Sequence, residues 1–265
     1  MNKRKTSSKK IVYKLLFFIS ILIFFCSLFM LLNYLKPEKK DYDKYKTSNT
    51  ETTSNVSSKN SGSKTDNLPD NPRDFKTLKK DNSDVKGWIY IEDTEIDYPI
   101  LQPSEDKDDL FYLDHNLNCD YEFAGSIFFQ KANSSDFSDP VTVIYGHNML
   151  NGSMFHDLLK FKNRDFFDSH DTILVYRPGH ILTYKVVSSF TYDDRHIMNT
   201  FNFLSKDDLQ EYIDTIKEPK SMDSNVRSDV KVTLKSNILT LSTCTDISSQ
   251  RYLVQGVLVN DERTK

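Results

Sequence analysis

Cys244 closes the run Ile238-Leu239-Thr240-Leu241-Ser242-Thr243-Cys244, and Arg251 opens the next apolar run, with only the six residues Thr245 to Gln250 between them. If both runs are strands and pair as a hairpin, a thiol and a permanent cation stand side by side. The thiolate is the nucleophile of cysteine chemistry, and an unperturbed thiol titrates near ~8.5. A neighbouring guanidinium favours the anion and can stabilise the oxyanion formed when the sulfur attacks a carbonyl. With a histidine to move the proton, this is the inventory of a cysteine acyl-transfer site. His147 is the candidate. It follows the apolar run Val141–Tyr145 through Gly146, at a strand end where a tight turn can present a side chain. His115, His156, His170, His180 and His196 fall in polar segments and read as solvated surface.

Each residue taken singly has a plainer reading: the cysteine as core, the arginine as a surface charge. The cysteine count favours the chemical one. There are three, Cys26, Cys119 and Cys244, too few for a disulfide framework, and a Cys119–Cys244 bridge would consume the nucleophile. The histidine spacings and the absence of a Cys-x-x-Cys pair argue against a metal. No metal or cofactor is expected.

The elements that must position these groups follow from hydropathy. Leu15 to Tyr34 carries 20 residues without a charge, enough for a helix to span a bilayer. Lys3, Arg4, Lys5, Lys9, Lys10 and Lys14 precede it, which predicts a cytoplasmic tail over 1–14, a single-pass anchor over 15–35, and an extracellular remainder. A cleaved signal peptide is the rival; Leu31 to Lys36 offers no small-x-small cleavage site. The formal charge is −3 for the whole chain, and setting aside the six positive charges of 1–14 leaves −9, which argues against nucleic-acid binding. Residues 36–68, rich in Lys, Ser, Thr, Asn, Asp and Glu, read as a flexible stalk.

The folded domain is expected over 69–265. Asn71-Pro72-Arg73-Asp74-Phe75 opens a short helical pattern with Phe75 and Leu78 on one face. Apolar strand-like runs follow around Trp88–Tyr90, Ile96–Leu101, Ser126–Phe129, Val141–Tyr145, Ile173–Tyr176 and Ile181–Phe190. Met154 to Phe161 has the pattern of a short amphipathic helix. Ser205 can cap a second helix over about 206–216. With Ile238–Cys244 and Tyr252–Val259 this makes about eight strands, and a mostly β barrel or sandwich with helical insertions.

Thr240-Leu241-Ser242-Thr243-Cys244 followed by Arg251-Tyr252-Leu253-Val254-Gln255-Gly256 resembles the signature of sortases, and Tyr145-Gly146-His147-Asn148-Met149 resembles their histidine motif. The similarity extends over most of 72–260. Gly87-Trp88-Ile89, Ile96-Asp97-Tyr98-Pro99-Ile100, Gly125-Ser126-Ile127-Phe128, the Ser within Thr-Leu-Ser-Thr-Cys and the helix near 206–216 are similar to the class B subgroup. The resemblance implies an eight-stranded sortase-type β-barrel with an N-terminal helix and a helix inserted between late strands. It implies a membrane-anchored transpeptidase of a Gram-positive cell surface. Such an enzyme cleaves a C-terminal sorting signal of surface proteins after Thr and holds a thioacyl intermediate. It then transfers the protein to a peptidoglycan-precursor amine or, in pilus builders, to a lysine.

By the same resemblance Cys244 is the nucleophile, His147 the general acid/base, and Arg251 the oxyanion and substrate clamp. Tyr145, Ser242, Thr243 and Asn116 are expected to bind substrate. The loop Thr245–Gln250 is shorter than in many relatives, which bears on acceptor choice. The residues themselves leave two other readings open: a surface cysteine protease or amidase that uses water, and an anchored β-domain that binds wall peptides with Cys244 in its core.

Overall fold

The computed structural model describes residues 4–34, 42–47 and 68–265. Helix α1 (Arg4–Tyr34) forms a unit of its own. It contains the apolar segment Val12–Leu32, 21 residues with a mean hydropathy of 2.9, which is long enough to cross a membrane.

In the second unit α2 (Phe75–Asp81) begins at Asp74, whose carboxylate accepts from the Lys76 and Thr77 amides. There follow β1 (Val85–Tyr90), β2 (Asp97–Leu101), β3 (Ile127–Phe129) and β4 (Val141–Tyr145). Next come α3 (Arg164–Ser169), β5 (Thr172–Arg177), β6 (His180–Asp193), α4 (Ile197–Thr200) and α5 (Lys206–Lys217). The chain ends in β7 (Asn225–Val226), β8 (Ile238–Cys244) and β9 (Gln250–Arg263). The strand order β5-β1-β2-β3-β4-β8-β9-β6 is closed by pairing of β6 with β5, giving an eight-stranded barrel; β7 adds two residues to β6 outside the ring. Pairing is antiparallel except for β2–β3 and β4–β8. Closure removes sheet edges, so a domain with few helices can satisfy its backbone internally.

The barrel interior is filled from alternate strand positions, among them Ile89, Ile100, Ile144, Leu239, Leu241 and Val254. A second core lies where α5 presents Leu209, Tyr212, Ile213 and Ile216 to the outer faces of β4, β8 and β9. Strand β8 is therefore covered on both faces, which explains why six of its seven residues are buried, Thr240, Ser242 and Thr243 included. Ser205 caps α5 as expected, accepting from the Asp208 amide.

Two expectations need correction. Met154 to Phe161 is not an α-helix. Met154 has φ of 60°, and the chain makes 3-10 turns over His156–Lys162 before Asn163 caps α3. The expected stalk is also not uniform. Most of it lies outside the described residues, but Tyr42–Thr47 packs on the barrel. Tyr45 is 1% exposed, the Asp74 amide donates to its carbonyl (2.8 Å), and its hydroxyl donates to Asp81 (2.7 Å). Tyr42 meets Trp88 edge-on, with ring centroids 5.4 Å apart.

Candidate active site

Register brings four strand ends together. Cys244 at the end of β8 pairs with Arg251 at the start of β9. Arg251 in turn pairs with Tyr192 near the end of β6. On the other flank β4 runs parallel to β8 with Tyr145 opposite Ser242. The next residue, Gly146, is held from both sides: its amide donates to the Ser242 carbonyl (3.2 Å), and its carbonyl accepts from Thr243 Oγ1 (2.8 Å). A side chain would not fit there, since a Cβ would fall 2.4 Å from Ile127 and 2.8 Å from Phe155. Locking Gly146 to Ser242 and Thr243 carries the following residue, His147, to the strand end that bears Cys244. Cys244, His147 and Arg251 line one cavity of about 250 Å³.

Cys244 is a free thiol of intermediate exposure; Cys26 and Cys119 are also free and lie elsewhere. Arg251 Nη1 donates to the carbonyls of Ser248 (3.0 Å) and Gln250 (2.9 Å), which fixes the guanidinium at the hairpin. Among the described residues no carboxylate forms an ion pair with it. His147 Nε2 lies 2.9 Å from the Leu113 carbonyl oxygen.

Tyr145 and Ser242 line the same cavity. The Tyr145 hydroxyl is buried without a hydrogen-bond partner, and burial, with smaller contributions from Tyr212 and Asp109, pushes its phenol well above the usual range. Thr243 also lines the cavity, but its hydroxyl is spent on Gly146. Asn116 stands apart. It is absent from the cavity lining, and its side-chain oxygen accepts from the amides of Asn118 (2.9 Å) and Asp120 (3.1 Å), closing a turn of its own loop.

The other side of the cavity holds Tyr192, which the sequence did not single out, and His196, which was expected on the solvated surface but lines the cavity with its Nδ1 buried. Tyr192 comes from the last turn of β6, beyond the expected end of that strand, and His196 precedes α4. The His196 ring lies 5.6 Å from that of Tyr145, and its Nδ1 is buried without a partner, as is the Tyr192 hydroxyl. A buried polar atom left unpaired costs about 1–3 kcal/mol. The signal for them was pairing rather than motif: whatever ends the strand beside β9 must sit next to Arg251. Among the described residues, no three His, Cys, Asp or Glu side chains converge to hold a metal ion.

A thiol, an imidazole and a guanidinium around one cavity suit attack on a carbonyl and transfer of the acyl group. Comparison with known proteins agrees. The sortase domain family model matches residues 89–259. Sortase B of Listeria monocytogenes is 41% identical over 192 residues, covering 70% of this chain and 74% of that protein. The crystal structure of Clostridium perfringens sortase B superposes with a TM-score of 0.62 at 34% identity, covering 70% of this chain and all (100%) of that one. A sortase B complexed with triglycine superposes with a TM-score of 0.62 at 29% identity, over 71% of this chain and 86% of that one. Motif, barrel and site thus point the same way, and the chain belongs to the sortase family of cysteine transpeptidases, in its B class.

Proposed function

We propose that this chain captures surface proteins at a C-terminal sorting signal and transfers them to a peptidoglycan-precursor amine, with Cys244, His147 and Arg251 as the catalytic groups. The observation that carries the reading is the in-register pair Cys244–Arg251 with His147 beside it on one cavity. The Cys244 thiolate attacks the carbonyl of the signal's Thr. The electron pair moves to oxygen, and the Arg251 guanidinium stabilises that oxyanion. The tetrahedral species collapses, the C–N bond breaks, and His147 gives its proton to the departing amine. The resulting thioester is attacked by the acceptor amine, whose proton returns to His147 as the sulfur leaves.

The triglycine complex of a related sortase B supports an amine-bearing glycyl acceptor. Tyr145, Ser242, Tyr192 and His196 bind the peptide along the cavity wall. The apolar helix Val12–Leu32 anchors the protein with the lysine-rich N-terminus in the cytoplasm and the barrel outside. The test uses the full chain in detergent with a library of Thr-containing peptides, with and without triglycine, read by mass spectrometry. Cleavage with a triglycine adduct is expected, and Cys244→Ala should abolish both products. Cleavage that triglycine neither accelerates nor diverts would establish a hydrolase instead.

A further inference from the structure

We infer that the long β2–β3 connection fixes which nitrogen of His147 handles the proton: the Leu113 carbonyl keeps Nε2 protonated, Phe123 holds the ring in place, and Nδ1 does the chemistry. The inference rests on His147 being the general acid/base. A carbonyl oxygen can only accept, so the 2.9 Å contact between His147 Nε2 and Leu113 O requires Nε2 to carry the hydrogen. In the neutral ring this leaves Nδ1 as the acceptor. In the imidazolium it leaves Nδ1–H as the proton that can be given away while Nε2–H stays bound.

The connection is built for this. Leu113 ends a 3-10 turn, Phe111–Leu113. That turn is pinned by Tyr112, which is fully buried, donates to Asp84 (2.7 Å) and accepts from Asn82 (2.9 Å). The Ser126 amide closes it from the far side on the Tyr112 carbonyl (2.9 Å). Gly125 makes the close approach possible. Its φ is 57°, and a Cβ there would lie 2.3 Å from the Leu113 carbonyl oxygen itself. Phe123, 65% exposed, lies parallel to the imidazole, with centroids 5.8 Å apart and planes at 16°. An aromatic ring left so exposed has little core to serve, and its partner is the histidine. Without the stack the imidazole can turn over and exchange its nitrogens. Phe123, Leu113 and Gly125 are thus positioning residues.

The direct test is a two-bond ¹H–¹⁵N correlation spectrum of the full chain in detergent, with ¹⁵N-labelled histidine. It is recorded in the Cys244→Ala background, at a pH where the ring is neutral. His147 is assigned by its loss in His147→Gln. A protonated Nε2 and a bare Nδ1 are expected; a protonated Nδ1 overturns the inference while leaving the role of His147 intact. That role fails separately, if His147→Gln in the Cys244 chain keeps its activity. In the active chain Phe123→Ala should lower kcat about tenfold with KM unchanged, the scale of one ring–ring contact, and Phe123→Trp should restore it. Unchanged kcat in Phe123→Ala would remove Phe123 from the account. Gly125→Ala, which must displace the Leu113 carbonyl, should cost about a hundredfold in kcat, and wild-type turnover in it would count against the carbonyl.

Discussion

Removing the Tyr45 ring should destabilise the barrel although the residue lies 24 positions ahead of the expected domain start at Pro69. Tyr45 is 1% exposed and packs in the outer core with Phe75, Leu78 and Trp88. A buried aromatic ring removes about 150–250 Å² from water, or about 4–6 kcal/mol at ~25 cal/mol/Å². Truncations of buried aromatic residues to alanine cost about 3–5 kcal/mol. For Tyr45→Ala there is a ceiling: the loss cannot exceed the free energy that holds Tyr42–Thr47 against the barrel, because beyond that the segment simply detaches. For a domain of this size ~1 kcal/mol shifts Tm by about 2–4 °C, so Tyr45→Ala should lower Tm by roughly 6–20 °C. Tyr45→Phe keeps the ring and loses only the bond to Asp81, about 1 kcal/mol. Calorimetry on chains beginning at residue 40, where the second compact unit starts, tests the series against a chain beginning at residue 69. The shorter chain should match Tyr45→Ala or fall below it. Equal Tm values for the 40–265 and 69–265 chains would refute the reasoning, since the segment would then contribute nothing.

Three further outcomes are expected. Arg251→Lys should lose about a hundredfold in kcat, because an ammonium has no planar fork with one nitrogen held by the Ser248 and Gln250 carbonyls and another turned to an oxyanion; near-normal turnover would remove the clamp. Thr243→Val should reduce kcat while costing about 1 kcal/mol in thermal stability, since it frees the Gly146 carbonyl that sets the position of His147; a stability loss with full kcat would detach this bond from the site. Burial works to raise the Asp84 carboxyl, but hydrogen bonds from Lys107 and Tyr112 and the Lys107 charge outweigh it and hold the group below the usual range. A folded pKa below the unfolded one means that its stabilisation is full above about pH 4 and drains away as pH falls through the folded value. Tm measured from neutral to acid should therefore fall less steeply below about pH 4 in Asp84→Asn than in the wild type, and parallel curves would contradict the assignment.

The parts legible in the sequence are those that regular strands dictate. Period-two patterning and strand ends were enough to bring Cys244 opposite Arg251, to put His147 at a strand end through Gly146, and to count eight strands with α5 between late ones, while the resemblance joined His147 to the pair. What resisted reading is set by the backbone in irregular segments. Asn116 came in by the family resemblance through a loop alignment, and in a loop such a side chain caps the local backbone first, as it does here. Tyr45 was hidden because composition averages over a window: one docking aromatic pair in a stretch of lysine, serine and threonine barely moves the mean, yet it buries a full ring. Leu113 could not be chosen at all. It acts through a carbonyl that every residue possesses, and the site depends on where that carbonyl is held rather than on the side chain. The one sequence mark it leaves is Gly125, twelve residues on, where a backbone at φ 57° leaves no room for a Cβ. Within this barrel the proposed catalytic inventory is thus written in side chains, and the orientation of its histidine in a peptide group whose only trace in the sequence is a glycine.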